Sequence, residues 1–131
     1  MPHSKNLNSN ISEEVSLHKL IDLVGDSTEK LNQLTQIFLN QLTENCSLIE
    51  QCLKQNNYEQ LSKIAHQMRP GFILYHLLES ATACHKIEDA YLNGNFQSIP
   101  TLAEQILFNR SRIEIQIKFA LEKASQNQTL Q

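Results

Sequence analysis

The feature that most narrows the fold is a set of apolar residues at steps of three and four: Leu31, Leu34, Phe38, Leu42, Cys46, Ile49 and Leu53. No Gly or Pro interrupts the stretch that carries them. Such spacing places side chains on one face only in an α-helix, so 27–55 is expected to form a single helix of about eight turns. Asp26 or Ser27 is expected to cap it, and Asp26 with Glu29 has capping-box spacing with Asp in place of Ser or Thr. Asn56 and Asn57 then break the pattern.

The rest of the chain repeats this design. A short amphipathic segment over 16–24 carries Leu17, Leu20, Ile21 and Val24, and Gly25 closes it. After Asn57, a third helix presents Tyr58, Leu61, Ile64, Ala65, Met68 and Phe72. The chain is expected to turn near 74–76, because Pro70 and Gly71 weaken helix continuity. A fourth helix over about 77–92 has Ala81, Cys84, Ile87 and Tyr91 facing inward. Asn93-Gly94-Asn95 stops it, with Gly94 suited to a left-handed cap. Ser98 is placed to cap the last helix, with Pro100 in its first turn. That helix is expected to reach about Ser125 through Leu102, Ile106, Ile113, Ile117 and Leu121. Short connections between long amphipathic helices favour antiparallel neighbours. The expected fold is therefore all-α, an up-down antiparallel four-helix bundle with a short extra N-terminal helix. Residues 1–14 read as a flexible polar leader, 15–125 as the bundle and 126–131 as a polar tail.

Charge and composition exclude several functions. The formal charge is -3, and the 11 Lys and Arg are dispersed, so there is no basic footprint for nucleic acid or an anionic membrane. No stretch approaches the ~20 apolar residues of a membrane span, and the first residues lack the apolar core of a secretory signal. The expected compartment is the cytoplasm, and the default state is a monomer. Cys46, Cys52 and Cys84 are odd in number and not spaced as C-x-x-C, so they read as reduced thiols in or near the core.

One residue of the third helix stands on the wrong face for a core role. With Ile64 as origin and ~100° per residue, Leu61, Met68 and Phe72 mark the core direction, and His66 falls roughly 140–150° away from it. Its expected surface neighbours are Ser62, Lys63, Gln67, Arg69, Pro70 and Ile73, which include two cations and no acid. Pro70 lies four residues after His66, so it offers no amide to the His66 carbonyl. An imidazole beside cations and without an acidic partner is poorly arranged as a general base and better suited to attack a phosphoryl group.

The run Ile64-Ala65-His66-Gln67-Met68-Arg69-Pro70-Gly71-Phe72 resembles the phosphoacceptor segment of histidine-containing phosphotransfer (HPt) domains, approximately A-H-x-L-K-G/P. Upstream, 38–61 resembles that family's second helix and polar joint. Downstream, Cys84, Ile87, Glu88 and Gly94 resemble its fourth helix and loop. The resemblance extends over about 15–122. It implies a phosphohistidine carrier of two-component signal transduction, with His66 taking a phosphoryl group from one receiver-domain aspartate and passing it to another. It implies Arg69 in the place of the usual Lys, with Lys63 and Arg69 compensating charge. Ser62, Gln67, Pro70, Gly71 and Ile73 would dock the receiver domains of response regulators or hybrid histidine kinases. The divalent metal would belong to the receiver, so this chain is expected to be no enzyme and to hold no cofactor. The clearest departure is His76, where the family commonly has Gly. No Gly-rich phosphate loop is present, so no ATP site is expected.

Other readings carry less. His18, His76 and His85 with Cys84 do not fit a metal-ligand spacing. Glu13-Glu14, Glu44 and Glu50 read as solvated faces, and Tyr58, Tyr75 and Tyr91 as core or rim. The alternative in a different class is a helical adaptor, a degenerate HPt domain that binds its partner through the same face without phosphotransfer. A homodimeric structural bundle would require Phe108, Ile115 and Phe119 to lie exposed on the last helix; they are expected instead to be core residues of a helix with several neighbours.

Overall fold

The computed structural model describes residues 13–25 and 27–130, with side chains through 126. Among these residues five helices follow in order: α1 (His18–Val24), α2 (Thr28–Gln55), α3 (Tyr58–Leu74), α4 (Leu78–Leu92) and α5 (Ile99–Leu130), the last preceded by a 3-10 turn at Phe96–Ser98. The described residues include no strand. The protein is an all-helical bundle in which α3 and α5 each pack on both α2 and α4, while α1 packs on α2. Asp26 and most of the expected leader lie outside the described residues.

The helix ends follow their local chemistry. The Ser27 hydroxyl accepts from the Lys30 amide at 3.2 Å, capping α2. Asn56 takes a left-handed conformation that ends α2, and the Asn57 side chain accepts from the Gln60 amide to start α3. Gly94, at φ +73, follows α4 in the left-handed region, where a glycine carries no Cβ penalty. Ser98 does not cap α5: its hydroxyl donates to the Asn95 carbonyl and closes the 3-10 turn. α5 also runs past the expected end at Ser125 to Leu130, because no helix breaker intervenes.

The buried face of α2 is rotated from the expected one in its first half. Leu31, Thr35, Leu39, Leu42, Cys46, Ile49 and Cys52 are buried, whereas Leu34 is exposed and Phe38 and Leu53 are half-buried. Thr35 can point inward because its hydroxyl accepts from the buried Tyr75 hydroxyl at 3.0 Å, which removes the cost of burying a polar group. Leu61, Ile64, Phe72, Leu77, Ile87, Ile99, Ile106, Ile113 and Ile117 fill the centre at 0–1% exposure. Each such side chain contributes about 1.5–3 kcal/mol relative to an exposed one. Tyr58 and Tyr91 are half-buried at one rim, where both rings pack on Phe96.

Two expectations about the surface are overturned. Glu13 is no solvated residue; it is buried at 5% exposure. Its Oε1 accepts from the Ser80 amide at 2.9 Å and its Oε2 from the Ser80 hydroxyl at 2.8 Å. Arg112 donates to Oε2 at 2.5 Å and to the Glu13 carbonyl at 3.3 Å. The N-cap position of α4, Leu77, makes no side-chain bond, so a carboxylate 67 residues upstream of Ser80 satisfies that helix start instead. Phe108, Ile115 and Phe119 are not core residues: they are 84%, 68% and 56% exposed, because α5 packs through its opposite face.

Candidate functional site

His66 sits in the middle of α3 with 69% of its side chain exposed, as its angular position requires. α3 continues through Pro70 to Leu74. Pro70 lacks an N–H, so the His66 carbonyl has no amide four residues on to accept from. The imidazole is not surrounded by cations alone. Its Nδ1 lies 2.7 Å from Glu88 Oε1, a residue of α4 22 positions away. Glu88 is the neighbour of His66 that reading α3 by itself misses, since the packing of α4 brings it there. The sequence singled Glu88 out only as part of the resemblance of the fourth helix, with no sign that it would meet His66.

This contact fixes the tautomer. An ionised carboxylate only accepts, so the proton lies on Nδ1 and the neutral ring carries its lone pair on Nε2. No other described residue bonds to Nε2. Glu88 has 17% of its side chain exposed and also faces Arg69, whose Nη1 is 3.3 Å from Oε2. That buried oxygen receives no aligned hydrogen bond, and the same Nη1 lies 2.6 Å from His85 Nδ1. His85 Nδ1 must accept there, which leaves its proton on Nε2, 3.3 Å from Asp89 Oδ2. A continuous polar chain therefore runs Asp89, His85, Arg69, Glu88, His66 across the α3–α4 seam.

The other sequence-selected residues separate into two groups. His66, Lys63, Gln67 and Ser62 line one open groove of about 350 Å³ together with Glu88 and Leu92. Ser62 is a buried member of it, whereas Gln67, Pro70 and Ile73 are exposed on α3. Lys63 pairs with Glu59 at 3.7 Å rather than with anything at the imidazole. Gly71 faces the bundle: a Cβ there would stand 3.1 Å from the Phe38 ring, so its small size serves close packing of α3 on α2.

The cysteines take no part. All three are free and buried. Burial, with a smaller contribution from the Glu88 charge, pushes the Cys84 thiol up to about 12, and burial pushes Cys46 up to about 11. Thiols held neutral in this way are poor nucleophiles and poor metal ligands. Among the described residues no group of three or more His, Cys, Asp or Glu is gathered as a metal set. No described helix is long and apolar enough to cross a membrane. Comparison with known protein families, curated proteins and solved structures gives no match.

Proposed function

We propose that this chain is a phosphohistidine carrier of the HPt kind, accepting a phosphoryl group from a receiver-domain aspartate on His66 Nε2 and passing it to another receiver. The observation that carries this reading is the exposed imidazole whose Nδ1 is held by Glu88 while Nε2 faces solvent. In the transfer step the Nε2 lone pair forms the N–P bond as the P–O bond to the receiver aspartate breaks. The aspartate leaves as a carboxylate, and no proton need move. The product ring is a cation with its Nδ1–H already on the Glu88 carboxylate, which stabilises the charge as it develops. The receiver would bring the divalent metal and the acids that hold it. This chain would contribute a positioned nucleophile and the surface around it, with Gln67, Pro70 and Ile73 meeting the receiver.

The clearest departure from the HPt pattern supports the reading rather than opposing it. His76 adopts φ +61, the left-handed region that a glycine occupies at least cost. The position where the family commonly has Gly thus takes a glycine-like conformation here, and the hairpin after α3 keeps its turn.

The alternative of a non-transferring adaptor rests on one observation. The two cations assigned to charge compensation are engaged elsewhere, Lys63 with Glu59 and Arg69 with Glu88 and His85. The readings separate when receiver binding and phosphoryl acceptance are measured on the same variant. For a carrier, His66→Gln abolishes acceptance from a phosphorylated receiver and leaves binding to that receiver within about threefold. An adaptor accepts no label in either form.

A further inference from the structure

We propose that the outer face of α5 is a self-association surface covered by the same face of a second copy of this chain. Phe108, Ile115 and Phe119 are 84%, 68% and 56% exposed. At ~100° per residue they fall within about 40° of one another, opposite the buried Ile106, Ile113 and Ile117 of the same helix. They therefore form one straight stripe that points directly away from the bundle. Polar residues would serve at these positions as well for folding alone, since none of the three side chains belongs to the core.

The area fits an identical partner. With about 200 Å² for a whole large apolar side chain, the three exposed fractions leave roughly 400 Å² on one stripe, within the ~300–600 Å² of the largest patch on a typical monomer. Two stripes face to face remove roughly 800 Å² from water, and the stems of the exposed flanking Glu104, Lys118, Glu122 and Lys123 add to this toward the ~1,000 Å² of a specific interface. Those flanking residues are two acids and two bases, so no net charge on the rim opposes a second copy. Phe108 and Phe119 also lie at equal distances on either side of the Ile113–Glu114 peptide. A two-fold axis there sets Phe108 of one protomer against Phe119 of its partner, the self-complementarity that an isologous dimer requires.

The surface is separate from the His66 site. α3 and α5 each pack on α2 and α4, which puts them diagonally across the bundle, so pairing through α5 leaves the His66 face open. The inference does not depend on the phosphocarrier reading.

Sedimentation equilibrium of the full chain from roughly 2 to 200 μM tests it, since a small interface of this kind corresponds to dissociation on the order of 10–100 μM. The wild-type mass is expected to rise with concentration from 15.0 kDa toward twice that value. Phe108→Ser/Phe119→Ser, and separately Ile115→Lys, are expected to weaken association at least tenfold with unchanged circular dichroism, because the altered side chains are exposed. His66→Gln is expected to associate as wild type does. A wild-type mass that stays at 15.0 kDa throughout overturns the proposal and leaves the stripe to a different partner. A dimer that survives both stripe variants overturns it by placing the interface elsewhere.

Discussion

Replacing Glu13 by Ala removes a side chain on which three segments of the chain depend. The carboxylate is 1% exposed and paired with Arg112, and it accepts from the amide and the hydroxyl of Ser80 at the start of α4. Loss of an N-cap interaction costs about 1 kcal/mol. Breaking a buried ion pair costs about 3–5 kcal/mol when the remaining charge stays buried. Arg112 has 18% of its side chain exposed and keeps a bond to the Glu13 carbonyl, so part of its charge is recovered by water and backbone. A total near 3 kcal/mol follows for Glu13→Ala, a large share of the ~5–15 kcal/mol that holds a domain together. With a urea slope of about 1.5 kcal/mol/M, the unfolding midpoint moves down by about 2 M. Glu13→Gln keeps an acceptor for the Ser80 amide but loses the charge, and is expected to cost about half as much. Urea titrations of the three proteins by circular dichroism measure this. A Glu13→Ala midpoint within about 0.3 M of wild type would refute the assignment of Glu13 as the remote cap of α4.

Further outcomes follow from the same structure. Cys84 and Cys46 titrate higher in the folded protein, at about 12 and about 11, than the ordinary 9.0 of a free thiol. The unfolded chain therefore loses these protons first: stability is level below about pH 9 and falls from there toward about pH 12, measurable as a declining urea midpoint that Cys84→Ala/Cys46→Ala flattens. His76→Gly relieves a left-handed backbone that costs a non-glycine residue about 1 kcal/mol, partly offset by the greater freedom of glycine in the unfolded chain. The variant is expected to gain up to ~0.5 kcal/mol in chemical denaturation, and a clear loss would contradict the strain argument. Glu88→Gln still accepts from Nδ1 but brings no charge to the ring cation, so phosphoryl acceptance should slow by about 10–100-fold with receiver binding retained. An unchanged rate would remove Glu88 from the mechanism.

Helix positions and breaks were legible because they depend on local spacing and on residues such as Asn56 and Gly94, whose conformational preferences act wherever they stand. The exposure of His66 was legible for the same reason, being fixed by its angle to Ile64 and Met68 on one helix. What was not legible depends on contacts between helices. Thr35 faces inward only because Tyr75, 40 residues on, answers its hydroxyl, so an apolar count favoured Leu34 and Phe38 over the true face of α2. Glu88 and His85 join the site across the α3–α4 seam, and Glu13 reaches the bundle through Ser80 and Arg112. Gly71 looked like a place for a partner to approach; the close neighbour is Phe38 of the same chain. The outward turn of Phe108, Ile115 and Phe119 agrees with their angle to Ile106, Ile113 and Ile117, but that α5 has no further helix to cover that face depends on the packing of α5 on α2 and α4, which periodicity does not report.

The central claim is that His66 Nε2 accepts a phosphoryl group. Wild type and His66→Gln, both shown to be folded, are incubated with a phosphorylated receiver domain and with phosphoramidate, and the recovered protein is tested for acid-labile, base-stable label. The account predicts label on wild type, none on His66→Gln, and attachment at Nε2 in the phosphorus NMR spectrum. Folded wild type that takes no label from several receivers or from phosphoramidate, or label that persists in His66→Gln, would contradict it.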